Sequence, residues 1–86
     1  MTGMETESFL YREKFPVGSK VRIKDAAQLE EFKRTWKLHH PISSEQIACG
    51  GRLDSVVSVG FYHGGDVLYQ LQSAPGTWHE ELLEST

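Results

Sequence analysis

Residues Gly60–Leu83 read GFYHGGDVLYQLQSAPGTWHEELL. Two runs rich in β-branched and aromatic residues flank Gly64-Gly65, the pattern of a β-hairpin closed by a two-residue turn. Closure on that turn sets His63 opposite Asp66, Tyr62 opposite Val67 and Gly60 opposite Tyr69. Tyr69 then covers the gap left by a residue without a side chain. Val56, Tyr62, Val67, Tyr69 and Leu71 share one face, with Val57, Val59, Phe61 and Leu68 on the other. Ser73-Ala74-Pro75-Gly76 reads as a corner with Gly76 at positive φ. Thr77-Trp78-His79 reads as a short strand, Glu80-Glu81-Leu82 as a helical turn and Leu83-Glu84 as a last strand.

Upstream, Phe15-Pro16-Val17-Gly18 is a turn, with proline pre-set for its second position. Lys20–Lys24 alternates strictly, Val21 and Ile23 facing in and three basic residues facing out, as a half-buried strand does. Asp25 then caps a helix over about Ala26–Lys37, with Gln28 completing a capping box. Leu29, Phe32 and Trp36 form its apolar stripe, and Glu30 pairs with Arg34 one turn on. Leu38-His39-His40-Pro41 ends the helix, since the residue before proline is pushed out of the helical region. Ser43 or Ser44 starts a short helical turn at about 44–49, stopped by Gly50-Gly51. Arg52–Tyr62 and Val67–Gln72 are the hairpin strands. Met1–Ser8 reads as a disordered polar tail, leaving a single domain over residues 9–86, and Phe9-Leu10-Tyr11 as a short edge strand or a segment lying across the sheet.

The chain has 86 residues and a net charge of −3, from 9 basic and 12 acidic residues, so it lacks the basic patch of a nucleic-acid binder. No run approaches the roughly 18 apolar residues of a membrane span, and the acidic N-terminal residues are unlike a secretory signal. A cytoplasmic protein is expected. A domain this small buries a modest share of its surface and gains from oligomerisation, so a homo-oligomer is expected too. The single cysteine, Cys49, excludes an internal disulfide and a cysteine-rich zinc site.

The order short strand, long helical insertion, hairpin, corner, strand, helical turn, strand is that of a five-stranded SH3-like barrel. Phe15, Gly18, Val21, Val59, Tyr69, Leu71, Trp78, Glu80, Leu83 and Glu84 carry a likeness to the barrel of the nitrile hydratase β subunit. The ending also resembles small orphan bacterial proteins of the mobile gene cassette type. The likeness spans about residues 15–84 and implies a mainly-β barrel with one helix inserted between its first two strands. In nitrile hydratase the cysteine cluster that holds the metal lies in the other subunit, so this chain alone is not expected to hydrate nitriles. Plasmid-type dihydrofolate reductases have a similar barrel of similar length, but their Val-Gln-Ile-Tyr run is replaced here by Leu68-Tyr69-Gln70-Leu71.

The chemistry-bearing residues gather on what such a barrel would present as its rim. His39, His40, His63 and His79 stand with Asp66, Glu80 and Glu81, all ligand types for zinc or iron, yet no spacing matches a metal motif. Neither a metal nor another cofactor is expected. His63 and Asp66 face each other across the turn as a histidine–carboxylate pair. Cys49 closes a short helical turn, where the negative end of the dipole opposes a thiolate, so it reads as a small buried hydrophobe. Trp36, Tyr62, Tyr69 and Trp78 are either core or an aromatic platform of the kind that docks peptides. The expected site is therefore Trp36, His39, His40, His63, Trp78, His79, Glu80 and Glu81, with no catalytic set among them. The leading expectation is a non-catalytic module that binds a protein partner or a small ligand. The alternatives are an enzyme whose site forms only at an oligomer interface, and an accessory partner of a nitrile hydratase-like metalloenzyme.

Overall fold

Strands supply most of the architecture. A computed structural model describes residues 12–86, so the expected tail and the Phe9–Tyr11 segment lie outside the described residues. The elements are β1 (Lys20–Ile23), α1 (Ala26–Thr35), α2 (Ser44–Ile47), β2 (Leu53–Tyr62), β3 (Asp66–Leu71), β4 (Thr77–His79) and β5 (Leu83–Ser85). The five strands form one antiparallel sheet in the order β4-β3-β2-β1-β5. The ladder is open, its pairings joining neighbours in that order and not β4 to β5, so the closure expected of a barrel is not among them.

β1 buries Val21 and Ile23, both 0% exposed, and turns Lys20 and Arg22 outward. Both helices begin with complete capping boxes, Asp25 with Gln28 and Ser43 with Gln46, which satisfy backbone N–H groups that have no partner inside the helix. α1 stops at Thr35, two residues short of the expected end, because Trp36 turns extended while its N–H still bonds the Phe32 carbonyl at 2.8 Å. Its ion pair is Arg34 with Glu31 at 2.6 Å, in place of the expected Glu30.

The hairpin differs from expectation by one residue. His63–Gly65 forms a 3-10 turn with Gly65 at φ +97°, so three residues connect the strands and Tyr62 pairs with Asp66. Tyr69 therefore lies opposite Val59, and Gly60 lies opposite Leu68. A bulge at Val57, between the Val56–Leu71 and Ser58–Gln70 pairs, changes which residues face inward. Val56, Val59, Phe61, Val67, Tyr69 and Leu71 now share the inner face, while Gly60, Tyr62 and Leu68 lie on the outer one.

Trp78 and Tyr69 are the largest fully buried side chains, packed with Phe15, Val21, Ile23, Leu29, Val56 and Leu83. The Tyr69 hydroxyl donates to Glu80 Oε2 at 2.5 Å and accepts the Lys14 and Phe15 N–H groups at 3.1 and 3.2 Å. Burial, reinforced by that bond to Glu80, drives its phenol well above the ordinary value. Asp54 is buried on β2 and accepts the N–H groups of Ser55, Ser73 and Ala74, holding the corner before β4. Gly76 takes φ +82° at that corner, as expected. Cys49 is a free, buried thiol in the core.

Gly50 packs directly on the start of α1, where an added Cβ would sit 2.6 Å from the Ala26 nitrogen. A backbone atom cannot swing aside as a flexible side chain can. Gly50→Ala is therefore expected to cost about 1–3 kcal/mol, the usual range for overpacking, read as a lower urea midpoint at unchanged slope.

Candidate functional site

α1 ends on Trp36, and residues 36–41 cross the outer face of the sheet. The turn is held by its own carbonyls. The Trp36 indole N–H donates to the His39 carbonyl at 2.6 Å, and the His79 ring donates from Nε2 to the His40 carbonyl at 2.8 Å. His40 sits at φ +51°, the left-handed region that side chains seldom occupy and that histidine tolerates better than most. This conformation aims two consecutive rings at one place, and their Nδ1 atoms lie 2.8 Å apart. His39 Nε2 meets Asp66 Oδ2 at 2.8 Å. Asp66 therefore pairs with His39 and not with His63, because the one-residue shift of the hairpin sets Tyr62 opposite it.

Aromatic rings pack the cluster. The His39 ring stacks on Tyr62 at 4.0 Å, and His79 lies 4.9 Å from Phe32 and 5.0 Å from Trp36. His79 is 5% exposed. Burial holds its imidazole below the ordinary histidine value, against the opposing pull of its bond to the His40 carbonyl.

The expected site residues thus divide. Trp36, His39, His40 and His79 come together, joined by Tyr62 and by Asp66, whose expected partner was His63. His63 meets the cluster at Tyr62, at 4.6 Å between ring centres. Trp78 is on the inner face at 0% exposure, beyond the reach of a ligand, and Tyr69 is buried with it, so no four-ring platform exists. Trp36 is half-buried, stacked on Phe32 at 5.3 Å. Glu80 is committed to Tyr69 and the Lys14 N–H, and with Glu81, Trp36 and Asp66 it borders a separate acidic recess of about 250 Å³.

A second recess of about 200 Å³ opens beside His40, lined by that residue with Ser58, Gly60, Leu68, Tyr69, Gln70 and Thr77. All but His40 and Tyr69 come from the outer faces of β2, β3 and β4. Gly60 forms its floor, with nothing within 4 Å of where a Cβ would stand. Nothing in the sequence singles out Ser58, Gln70 and Thr77, because isolated polar residues on a strand read as solvent-facing. Only the shifted register aligns them.

Among the described residues, no three or more His, Cys, Asp or Glu side chains are arranged to hold a metal ion, and no helix is long and apolar enough to cross a membrane. Comparison with known families, curated proteins and solved structures finds no match to this chain.

His79 gives the site a pH dependence of known sign. Its folded form resists protonation, so below the ordinary value of about 6.5 the unfolded chain binds more protons than the folded one. The contribution to stability is complete above that value and is lost progressively as pH falls from it toward the lower folded value. Between about pH 7.5 and about pH 5.5 the urea midpoint of the wild type is expected to fall. His79→Gln keeps an N–H for the His40 carbonyl but cannot titrate, and its midpoint should fall less over the same interval. Equal falls would show that His79 is not the titrating group.

Proposed function

We propose that this chain is a non-catalytic binding module built as an SH3-like barrel, cytoplasmic and homo-oligomeric. Its working surface is the outer face of β2, β3 and β4 beneath the His39–His40 turn, and it takes a small ligand or a short segment of a partner protein there. The strand order, with a 3-10 turn between β4 and β5, supports the barrel reading.

The observation that carries the reading is His40. A non-glycine residue in the left-handed region costs of order 1–3 kcal/mol and persists where its surroundings hold it. Here an aromatic N–H holds the carbonyl before it, a histidine ring holds its own carbonyl, and the His39 ring holds its side chain. What that arrangement produces is a rigid histidine pair at the mouth of a recess lined by hydroxyl and amide groups. Recesses of this make-up orient ligands by a few convergent polar contacts.

The test is a screen of short peptides and small fragments against the 15N-labelled protein. Binders are expected to shift the amides of residues 36–41, 58–62, 66–70 and 77–79 as one group. His40→Gly relieves the backbone strain and should stay within about 1 kcal/mol of wild-type stability while losing those shifts. Binders that map consistently to another face would overturn the assignment, as would a complete screen with no binder.

A further inference from the structure

The hydrogen bonds of the Asp66–His39–His40 chain restrict what His40 can offer a ligand. Asp66 is a carboxylate and only accepts, so the hydrogen between it and His39 belongs to His39 Nε2. In the neutral pair His39 Nδ1 is then bare, and it accepts from His40 Nδ1–H across 2.8 Å. That leaves His40 Nε2 bare as well, and among the described residues it has no partner. Adding one proton gives two forms. Either His40 becomes the imidazolium, or His39 does and donates its Nδ1–H to a bare His40 Nδ1. In both forms His40 Nε2 carries a hydrogen, and the pair carries one positive charge. A second added proton would set two N–H groups against each other at 2.8 Å, so the pair holds one and no more.

The recess beside His40 matches the charged form. Ser58, Gln70 and Thr77 supply hydroxyl and amide donors, and no carboxylate lines it. Asp66, Glu80 and Glu81 face the other recess. The groups packed around His40 are His39 and Tyr62, with His79 on β4 bonded to its carbonyl, and burial disfavours the charged form of His79. At about 200 Å³ the space is below the range of drug-sized sites, enough for one small acid group with a short apolar part against Leu68.

The geometry points to a carboxylate as the ligand of this recess, bound together with one proton taken up by the His39–His40 pair. This inference rests on the proposed working surface and names its ligand class. The carboxylate belongs either to a free small acid or to the C-terminus of a protein chain, and the chemistry at His40 Nε2 is the same for both.

The experiment uses the full chain and four probes: propionate, propionamide, and a tetra-alanine peptide with a free or an amidated C-terminus. The acids are expected to shift the amides of Ser58, Gly60, Gln70 and Thr77 and the His40 ring, saturably. Binding of the acids should tighten as pH falls, whereas binding of the amides should not. Calorimetry in buffers of different ionisation enthalpy should find proton uptake on binding. Whichever acid binds more tightly identifies the source. Gly60→Val places its Cβ where no atom lies within 4 Å and suits a strand, so it should fold as the wild type does and lose acid binding. Amides binding as well as acids, binding without pH dependence, or no acid binding in the recess would each overturn the carboxylate. None of these touches the wider reading, which fails only if the peptide and fragment screen leaves the whole outer face unshifted.

Discussion

One hydrogen bond, from the buried His79 ring to the His40 carbonyl, fixes where residues 36–41 lie on the sheet. Its donor is placed by the β4 pairing, in which His79 stands opposite Leu68 on the outer face while Trp78, one residue earlier, fills the core. Its acceptor is placed by the left-handed turn at His40. Sheet and turn each supply half, and the two are 39 residues apart in sequence. Burial holds the donor's imidazole below the ordinary histidine value, so the residue that anchors the turn also ties it to pH.

With that anchor in place, the other contacts follow in sequence. The Trp36 indole closes back on the His39 carbonyl, which ends α1 and sets the direction of the His39 ring. The ring stacks on Tyr62 and meets Asp66, both at the far end of the hairpin. These contacts exist because the hairpin turn uses three residues, which sets Tyr62 opposite Asp66 on the outer face. Gly60, two residues before Tyr62 on that face, leaves the space that becomes the recess. On the inner side, Tyr69 binds Glu80 and the Lys14–Phe15 backbone, so β3 is braced from both faces.

Much of the fold was legible because local chemistry decides it. The alternation of Lys20–Lys24, the capping residues Asp25 and Ser43, the Leu29–Phe32 stripe and the Gly76 corner each announce themselves within a few residues. The register was not, because Gly64-Gly65 permits either a two- or a three-residue connection and the Val57 bulge leaves no mark in composition. The site was half legible. His39, His40, His79 and Trp36 stand out by type, whereas the partnership of Asp66 with His39 depends on the register and the polar recess on the alignment of three strands. Trp78 looked like a rim residue because it lies between Thr77 and His79, yet alternation along β4 turns it into the core.

The hydrogen-bond chain from Asp66 through His39 to His40 makes a claim that imidazole 15N shifts read directly. At about pH 8, where unperturbed histidine is neutral, long-range 1H–15N correlation should find His39 and His79 protonated at Nε2. His40 should be protonated at Nδ1, the tautomer that a free histidine side chain disfavours. If His40 instead shows the Nε2–H form or the averaged shifts of a freely exchanging ring, the chain does not exist and the recess loses its histidine.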